Sequence, residues 1–217
     1  MSSYFDDVET HYPMVVLQRI HTDVDELNSE LYALIKQMAE EYGDTPDNAV
    51  NEGLVSTQGG YQTSTRTNLL TLKAAAIETF RETVLLPACH AYLTEVFGDE
   101  AAELSPWPVG WANLLQTGDW QGPHWHPTDK NIASGVYYVH LPDDMPAPEG
   151  HIHFLNPMPQ SVNHGYPATR RLTPVPGKLV MFPPWYTHYV HPFKGEGERA
   201  IIAFDVLAQK PGLDLVF

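Results

Sequence analysis

From Val24 to Gly43 apolar residues recur at three-and-four spacing, Val24, Leu27, Leu31, Leu34, Ile35 and Met38, with acidic and polar residues between them. That period predicts an amphipathic helix lying on a core. Thr22 is placed to cap it, with Asp25 three residues on, and Gly43 to stop it. A second helical stretch runs from about Leu69 to Phe97, where Pro87 is expected to kink or divide the helix and Gly98 to end it. Between the two, "NEGLVSTQGGYQTSTRTN" is polar and glycine-containing and reads as loop.

From Trp107 the pattern shifts to short runs separated by turns: "VGWANLLQ", "ASGVYYVHL", "GHIHFLN", "GKLVMF" and "RAIIAFDVL". Each is bounded by Gly, Pro, Asp or Asn, and several alternate or are β-branched and aromatic, which predicts a β-sandwich or barrel and not βαβ units. The expected fold is mainly β with flanking helices (α+β), a single domain over residues 1–217. Residues 1–104 would form a largely helical support and residues 105–217 the β core.

Composition sharpens that division. Residues 1–104 carry 18 acidic and 5 basic side chains, whereas residues 105–217 carry 9 and 7, with eight of the eleven histidines and sixteen of the nineteen prolines. The histidine-rich half is therefore the expected working half. The net charge of −15 argues against binding a nucleic-acid backbone, which needs a basic footprint. Cys89 is the single cysteine, so no internal disulfide or thiolate-rich zinc site is available, and "LLPACHAYL" buries it in a helix. No apolar run approaches the roughly eighteen residues that cross a bilayer, and "MSSYFDDVET" lacks the pattern of a secretory leader. Cytoplasmic residence with no membrane contact is the expectation, and a homodimer through the acidic helices stays open.

Candidate chemistry starts at "GPHWHP". His124 and His126, two apart on an extended chain, point to the same side about 6–7 Å from one another, so both rings can reach one ion. The spacing alone does not choose a site, because His151 and His153 repeat it in "EGHIHFLNP". Farther on, Arg199, Ile201 and Ala203 share one face of a strand expected to look inward. A guanidinium there is costly unless paired. Its partner is either a structural carboxylate, Asp205 or Glu198, or the carboxylate of a small ligand.

Read together and in order, "WANLLQTGDWQGPHWHP", "SGVYYVHLP", "EGHIHFLNP", "PGKLVMFPPWYTHYVHPF" and "ERAIIAFDV" resemble the core of the Fe(II)- and 2-oxoglutarate-dependent oxygenases, in the group similar to prolyl 4-hydroxylases, from about Gly110 to Val206. The resemblance implies a double-stranded β-helix, the jelly-roll or cupin-like architecture. It implies His124 as first metal ligand, His188 as the distal one, and Arg199 as the grip on the far carboxylate of 2-oxoglutarate. Tyr138 would hydrogen-bond the same carboxylate, or Tyr137 if the strand register differs by one. Where the family has the acid of an HxD pair this chain has His126, and Asp129 is the alternative oxygen ligand. His191 is the rival for the distal position. Three neutral imidazoles would leave the full dipositive charge on the metal, so 2-oxoglutarate would supply more of the compensation.

The implied cofactors are Fe(II), 2-oxoglutarate and dioxygen. The implied reaction hydroxylates an unactivated C–H bond of a small-molecule or peptidyl substrate and releases succinate and carbon dioxide. Iron affinity is expected to fall below the ordinary imidazole pKa of about 6.5. Trp125 is expected to pack behind the site, Trp185 and Tyr186 to wall the substrate pocket, and His140 to point inward. The competing reading is a cupin-like metal-binding protein or a dioxygenase needing no cosubstrate. It lacks the usual glutamate after the histidine pair, where Lys130 and Asn131 stand, and it leaves Arg199 without a task.

Overall fold

Two antiparallel sheets face one another, and a helical layer covers the outer side of the larger. The computed structural model of the protein describes residues 14–42, 56–64, 67–126 and 130–209. The strands are β1 (Leu17–Ile20), β2 (Thr57–Gln58), β3 (Tyr61–Gln62), β4 (Ser105–Leu115), β5 (Trp120–His124), β6 (Asn131–His140), β7 (Ile152–Leu155), β8 (Thr169–Leu172), β9 (Lys178–Phe182), β10 (His188–Val190) and β11 (Arg199–Gln209). The larger sheet has the order β1-β9-β6-β11-β4-β3 and the smaller β2-β5-β10-β7-β8.

The five expected strands form β4, β6, β7, β9 and β11. The others lie outside that expectation. β2 and β3 arise within the stretch read as loop, and each adds an edge strand to one sheet. They are two residues long, too short for alternation to register. β1 pairs with β9 at the edge of the larger sheet. Gly177 allows that junction: it sits at φ 80°, its N–H donates to the Tyr138 carbonyl at 2.9 Å, and a Cβ there would stand 2.6 Å from the His21 carbonyl oxygen.

The helix α1 spans Asp25–Tyr42 and buries Leu31 and Ile35 fully. The expected cap is not made: the helix begins at Asp25, Asn28 N–H donates to the Val24 carbonyl, and the Thr22 hydroxyl turns to Asp23 instead. Gly43, the expected stop, lies outside the described residues. The second stretch starts with a 3₁₀ turn over Leu69–Thr71 and then runs from α2 (Ala75–Thr79) through a π-helical segment (Phe80–Leu85) into α3 (Leu86–Phe97). Pro87 does not divide the rod. Its missing N–H and bulky ring are accommodated by the wider π turn that precedes it. Gly98, at φ 58°, ends α3 as expected.

Strand alternation sorts the core into two layers. On β6 and β11, Tyr137, Val139, Ile202 and Phe204 pack toward the helices with Leu31, Ile35 and Phe80. Val136, Tyr138, Ile201 and Ala203 point between the sheets with Phe154 and Phe182. Cys89 is buried as expected, and desolvation pushes its thiol up to about 12, so it is inert as a nucleophile.

Candidate functional site

The strand register brings His124 and His188 together. Antiparallel pairing of β10 with β5 sets them directly opposite, with ring centroids 4.2 Å apart. Beyond the end of β5 the chain stays in place because His126 N–H donates to the Pro184 carbonyl at 2.8 Å. The His126 ring thus lies 5.3 Å from each of the other two, centroid to centroid. One ring nitrogen from each of His124, His126 and His188 falls within 4.8 Å of the others. Three convergent imidazoles could hold one transition-metal ion with positions left open.

Hydrogen bonds fix which nitrogens converge. His124 Nδ1 lies 2.7 Å from the Gly122 carbonyl oxygen and His188 Nδ1 2.9 Å from that of Tyr186. His126 Nδ1 lies 2.8 Å from Asp205 Oδ1. Carbonyl and carboxylate oxygens only accept, so each Nδ1 carries the proton and each Nε2 keeps its lone pair. His126 Nε2 is buried without a partner among the described residues. Burial pushes His124 down to about 4, with the neighbouring His126 adding to the effect and the Gly122 carbonyl opposing it. Burial and the two neighbouring rings hold His188 well below the ordinary value. The sequence-based expectation of proton competition from pH 6.5 therefore moves downward for these two rings, which remain neutral in more acid solution.

The rings open on a cavity of about 710 Å³ between the sheets, which Arg199 also lines. Arg199 is 1% exposed, and its Nε and Nη1 have no hydrogen-bond partner among the described residues. Both structural partners considered for it are engaged elsewhere. Asp205 holds His126 and accepts from Ser134 at 2.6 Å; Glu198 takes the Tyr32 hydroxyl at 2.5 Å and Lys36 at 2.9 Å. Tyr138, whose ring centroid lies 5.4 Å from the Arg199 guanidinium carbon, also has a buried hydroxyl, which interacts with Arg199 but completes no well-formed hydrogen bond among the described residues. Burial raises its pKa, against which the Arg199 charge works. A buried fork beside an unsatisfied hydroxyl is a cradle for an anion.

Tyr137, the alternative to Tyr138, faces the helices, where its hydroxyl donates to Asn28 Oδ1 at 2.8 Å. It does not line the cavity. Asp129, the alternative to His126, lies outside the described residues. His191 is not beside His188 in the site; it packs against His153, centroids 4.7 Å apart. His140 does not point inward but stacks on Tyr32 at 4.1 Å, against α1. His151 and His153 are buried but do not line the cavity, to which β7 contributes Ile152.

Among the aromatic residues, Trp111 lines the cavity and stacks on His126 at 5.7 Å. Trp125 lines the mouth at 55% exposure instead of packing behind the site. Trp185 is exposed and Tyr186 packs on Phe154, so neither walls the cavity. Two features escaped sequence reading. Asp205 was weighed only as a partner of Arg199, although its place at the sixth residue after Arg199 puts it on the same inward face. The amides Gln58, Gln62 and Gln121 also line the cavity, from segments too short or too polar to read as strand.

Residues 110–205 match the model of the family described as "Putative 2OG-Fe(II) oxygenase". Among solved structures, the chain is similar to a prolyl-4-hydroxylase from Pseudomonas putida, with TM-score 0.63, 16% identity, and 88% of this chain and 92% of that chain covered. It is similar to a prolyl hydroxylase from Trichoplax adhaerens, solved with a peptide fragment of the hypoxia inducible factor oxygen degradation domain (TM-score 0.59, 13% identity, 88% and 83% covered). A third is HygX from Streptomyces hygroscopicus, solved with nickel, 2-oxoglutarate and hygromycin B (TM-score 0.53, 11% identity, 89% and 82% covered). No curated protein matches the sequence. The two facing sheets are thereby a double-stranded β-helix, as the sequence implied.

Proposed function

From the match of residues 110–205 to that family's description and the convergence of three imidazoles in one cavity, we propose that the chain is an Fe(II)- and 2-oxoglutarate-dependent oxygenase, and we propose which residues do the work and on what. His124, His126 and His188 hold the iron through their Nε2 atoms. Arg199 binds the far carboxylate of 2-oxoglutarate, and the Tyr138 hydroxyl donates to it. The observation that carries this assignment is the unpartnered Arg199 Nε and Nη1, buried beside Tyr138 in the same cavity as three imidazoles whose ring nitrogens converge within 4.8 Å.

Iron, 2-oxoglutarate and dioxygen supply the oxidising chemistry, in which one oxygen atom enters a C–H bond and the other enters succinate, with release of carbon dioxide. The protein's residues orient and enclose. The Gly122 and Tyr186 carbonyls and Asp205 hold the three rings in the metal-binding tautomer. Phe182 and Trp111 pack against the His126 ring and exclude water from that side. Arg199 orients 2-oxoglutarate from the cavity wall. Trp125, exposed at the mouth, meets the substrate first, while Gln62 and Gln121 line the wall as amides held by Thr57 and Asn113.

The substrate we propose is a peptide or small molecule, as the cavity is of ordinary ligand size. The net charge of −15 disfavours nucleic acid. Residues 105–217 carry the chemistry and residues 1–104 support them. Cytoplasmic residence belongs to the same proposal, resting on a lone, buried thiol. No described helix is long and apolar enough to cross a membrane. A homodimer remains part of the proposal only through the acidic outer helix α1. The cupin-like alternative is not favoured, since it leaves the Arg199 cradle empty of purpose.

Anaerobic titration with Fe(II) and 2-oxoglutarate, read by the weak visible charge-transfer band of the chelate, tests the assignment. The band is expected in the wild type. In Arg199→Ala half-saturation shifts to higher 2-oxoglutarate concentration by roughly 30- to 1000-fold, since removing one partner of a buried charge pair costs about 2–4 kcal/mol. No band, or an unshifted one in Arg199→Ala, refutes it.

A further inference from the structure

We propose that Asp205 is the positioning carboxylate of this metal centre, set one imidazole away from the iron in place of a carboxylate on it. The inference rests on the reading of His126 as a ligand. Three observations carry it. First, Asp205 Oδ1 lies 2.8 Å from His126 Nδ1 and from neither of the other two rings within hydrogen-bond reach, so it serves the one position where an acid is missing. Second, the contact is sheltered: the His126 side chain is 9% exposed and that of Asp205 17%. Third, Asp205 is itself anchored. The pairing of β11 with β6 sets it opposite Ser134, whose hydroxyl donates to the same Oδ1 at 2.6 Å and accepts from Asn131 Nδ2 at 3.0 Å.

Charge explains why the exchange is tolerable. A dipositive iron with two imidazoles and one carboxylate carries a net +1. With three neutral imidazoles it carries +2, and Asp205 returns the total to +1. The expectation that 2-oxoglutarate would supply more of the compensation is thereby revised, since Asp205 supplies part of it. A carboxylate accepting from Nδ1 also makes Nε2 a better donor and fixes the ring plane. Asp205 and Arg199 lie on the same face of β11, six residues apart, so one strand presents the anion for the metal and the cation for the cosubstrate.

The test is the affinity of the full-length, metal-free chain for Co(II), measured by titration calorimetry and by the visible spectrum of the bound ion. Asp205→Asn keeps the shape and the acceptor for Ser134 and is expected to weaken Co(II) by about 10- to 100-fold. Ser134→Ala, which loosens Asp205 without touching it, is expected to weaken Co(II) by about 5-fold or less, one ordinary hydrogen bond. In the His126→Asp background the prediction changes sign. Asp205 there faces a like charge with no imidazole to hold, so adding Asp205→Asn leaves Co(II) affinity unchanged or raises it.

Equal losses in both backgrounds would mean that Asp205 only supports the fold, and overturn the inference. So would a full Co(II) affinity in Asp205→Asn when His126→Ala has lost it. If His126→Ala itself binds Co(II) as the wild type does, the ligand reading of His126 has failed and the inference falls with it, a result told apart from the others by that single variant.

Discussion

Two histidine pairs of identical spacing stand in one five-stranded sheet, and only one belongs to the site. His124 and His126 follow from β5, and His151 and His153 frame the start of β7, with β10 running between the two strands. Across that sheet His188 is opposite His124 on one side and opposite Phe154 on the other. The row facing between the sheets is therefore His124, His188, Phe154. On β7 the histidines are one residue out of phase with that row, and Ile152 takes the cavity position. The same offset separates Tyr138 from Tyr137 on β6: one hydroxyl interacts with Arg199 and the other is bound to Asn28. A one-residue change of phase turns every side chain of a strand to the other face, so chemistry here is decided by parity and not by spacing.

The environments differ as sharply as the faces. Each site imidazole has its Nδ1 held by an oxygen, which leaves a directed lone pair. His153 is buried with neither ring nitrogen partnered among the described residues, stacked on Tyr189 at 5.0 Å. The first is an arrangement for binding, the second an unsatisfied packing position.

Acid should expose the first of these differences. His124 is held near 4 in the folded protein and titrates near 6.5 when unfolded. Between those values the unfolded chain binds the extra proton, so stability is complete above pH 6.5 and is lost as pH falls toward 4, by at most about 3 kcal/mol. Urea unfolding of the metal-free protein from pH 7 to 4 measures it, and His124→Gln should make the profile less steep, the remaining slope coming from His188 and the other buried imidazoles.

The tyrosine pair sharpens the parity argument at smaller scale. Tyr138→Phe should weaken 2-oxoglutarate by about 5-fold, one hydrogen bond of about 1 kcal/mol, with stability retained. Tyr137→Phe should leave 2-oxoglutarate affinity unchanged and cost about 1 kcal/mol of stability by orphaning Asn28. Calorimetric titration together with thermal unfolding separates the two. The smallest effect is expected at the second histidine pair: His153→Leu removes two unsatisfied nitrogens, and a rise in melting temperature of about 2–4 °C would correspond to a gain near 1 kcal/mol.

Much of this was legible in the chain. The long strands announced themselves by alternation, α1 by its period, and Arg199 by the cost of a guanidinium at an inward position. What stayed hidden had a common cause in tertiary placement. β2 and β3 are dipeptides whose pairing is decided by β5 and β4, and no local pattern foretells it. Trp125 was misplaced because strict alternation was carried past the end of β5, where the strand has stopped and the chain is held by the Pro184 carbonyl. Asp205 was visible as an inward residue, but its partner is 79 residues away, which only the fold brings near.

The central claim is that His124 and His188, not the second pair, hold the iron. Anaerobic equilibrium dialysis against Fe(II), with iron counted per chain, tests it most directly. One iron per chain is predicted for the wild type and for His153→Ala, and none for His124→Ala or His188→Ala. Iron retained by His124→Ala and lost from His153→Ala would contradict it.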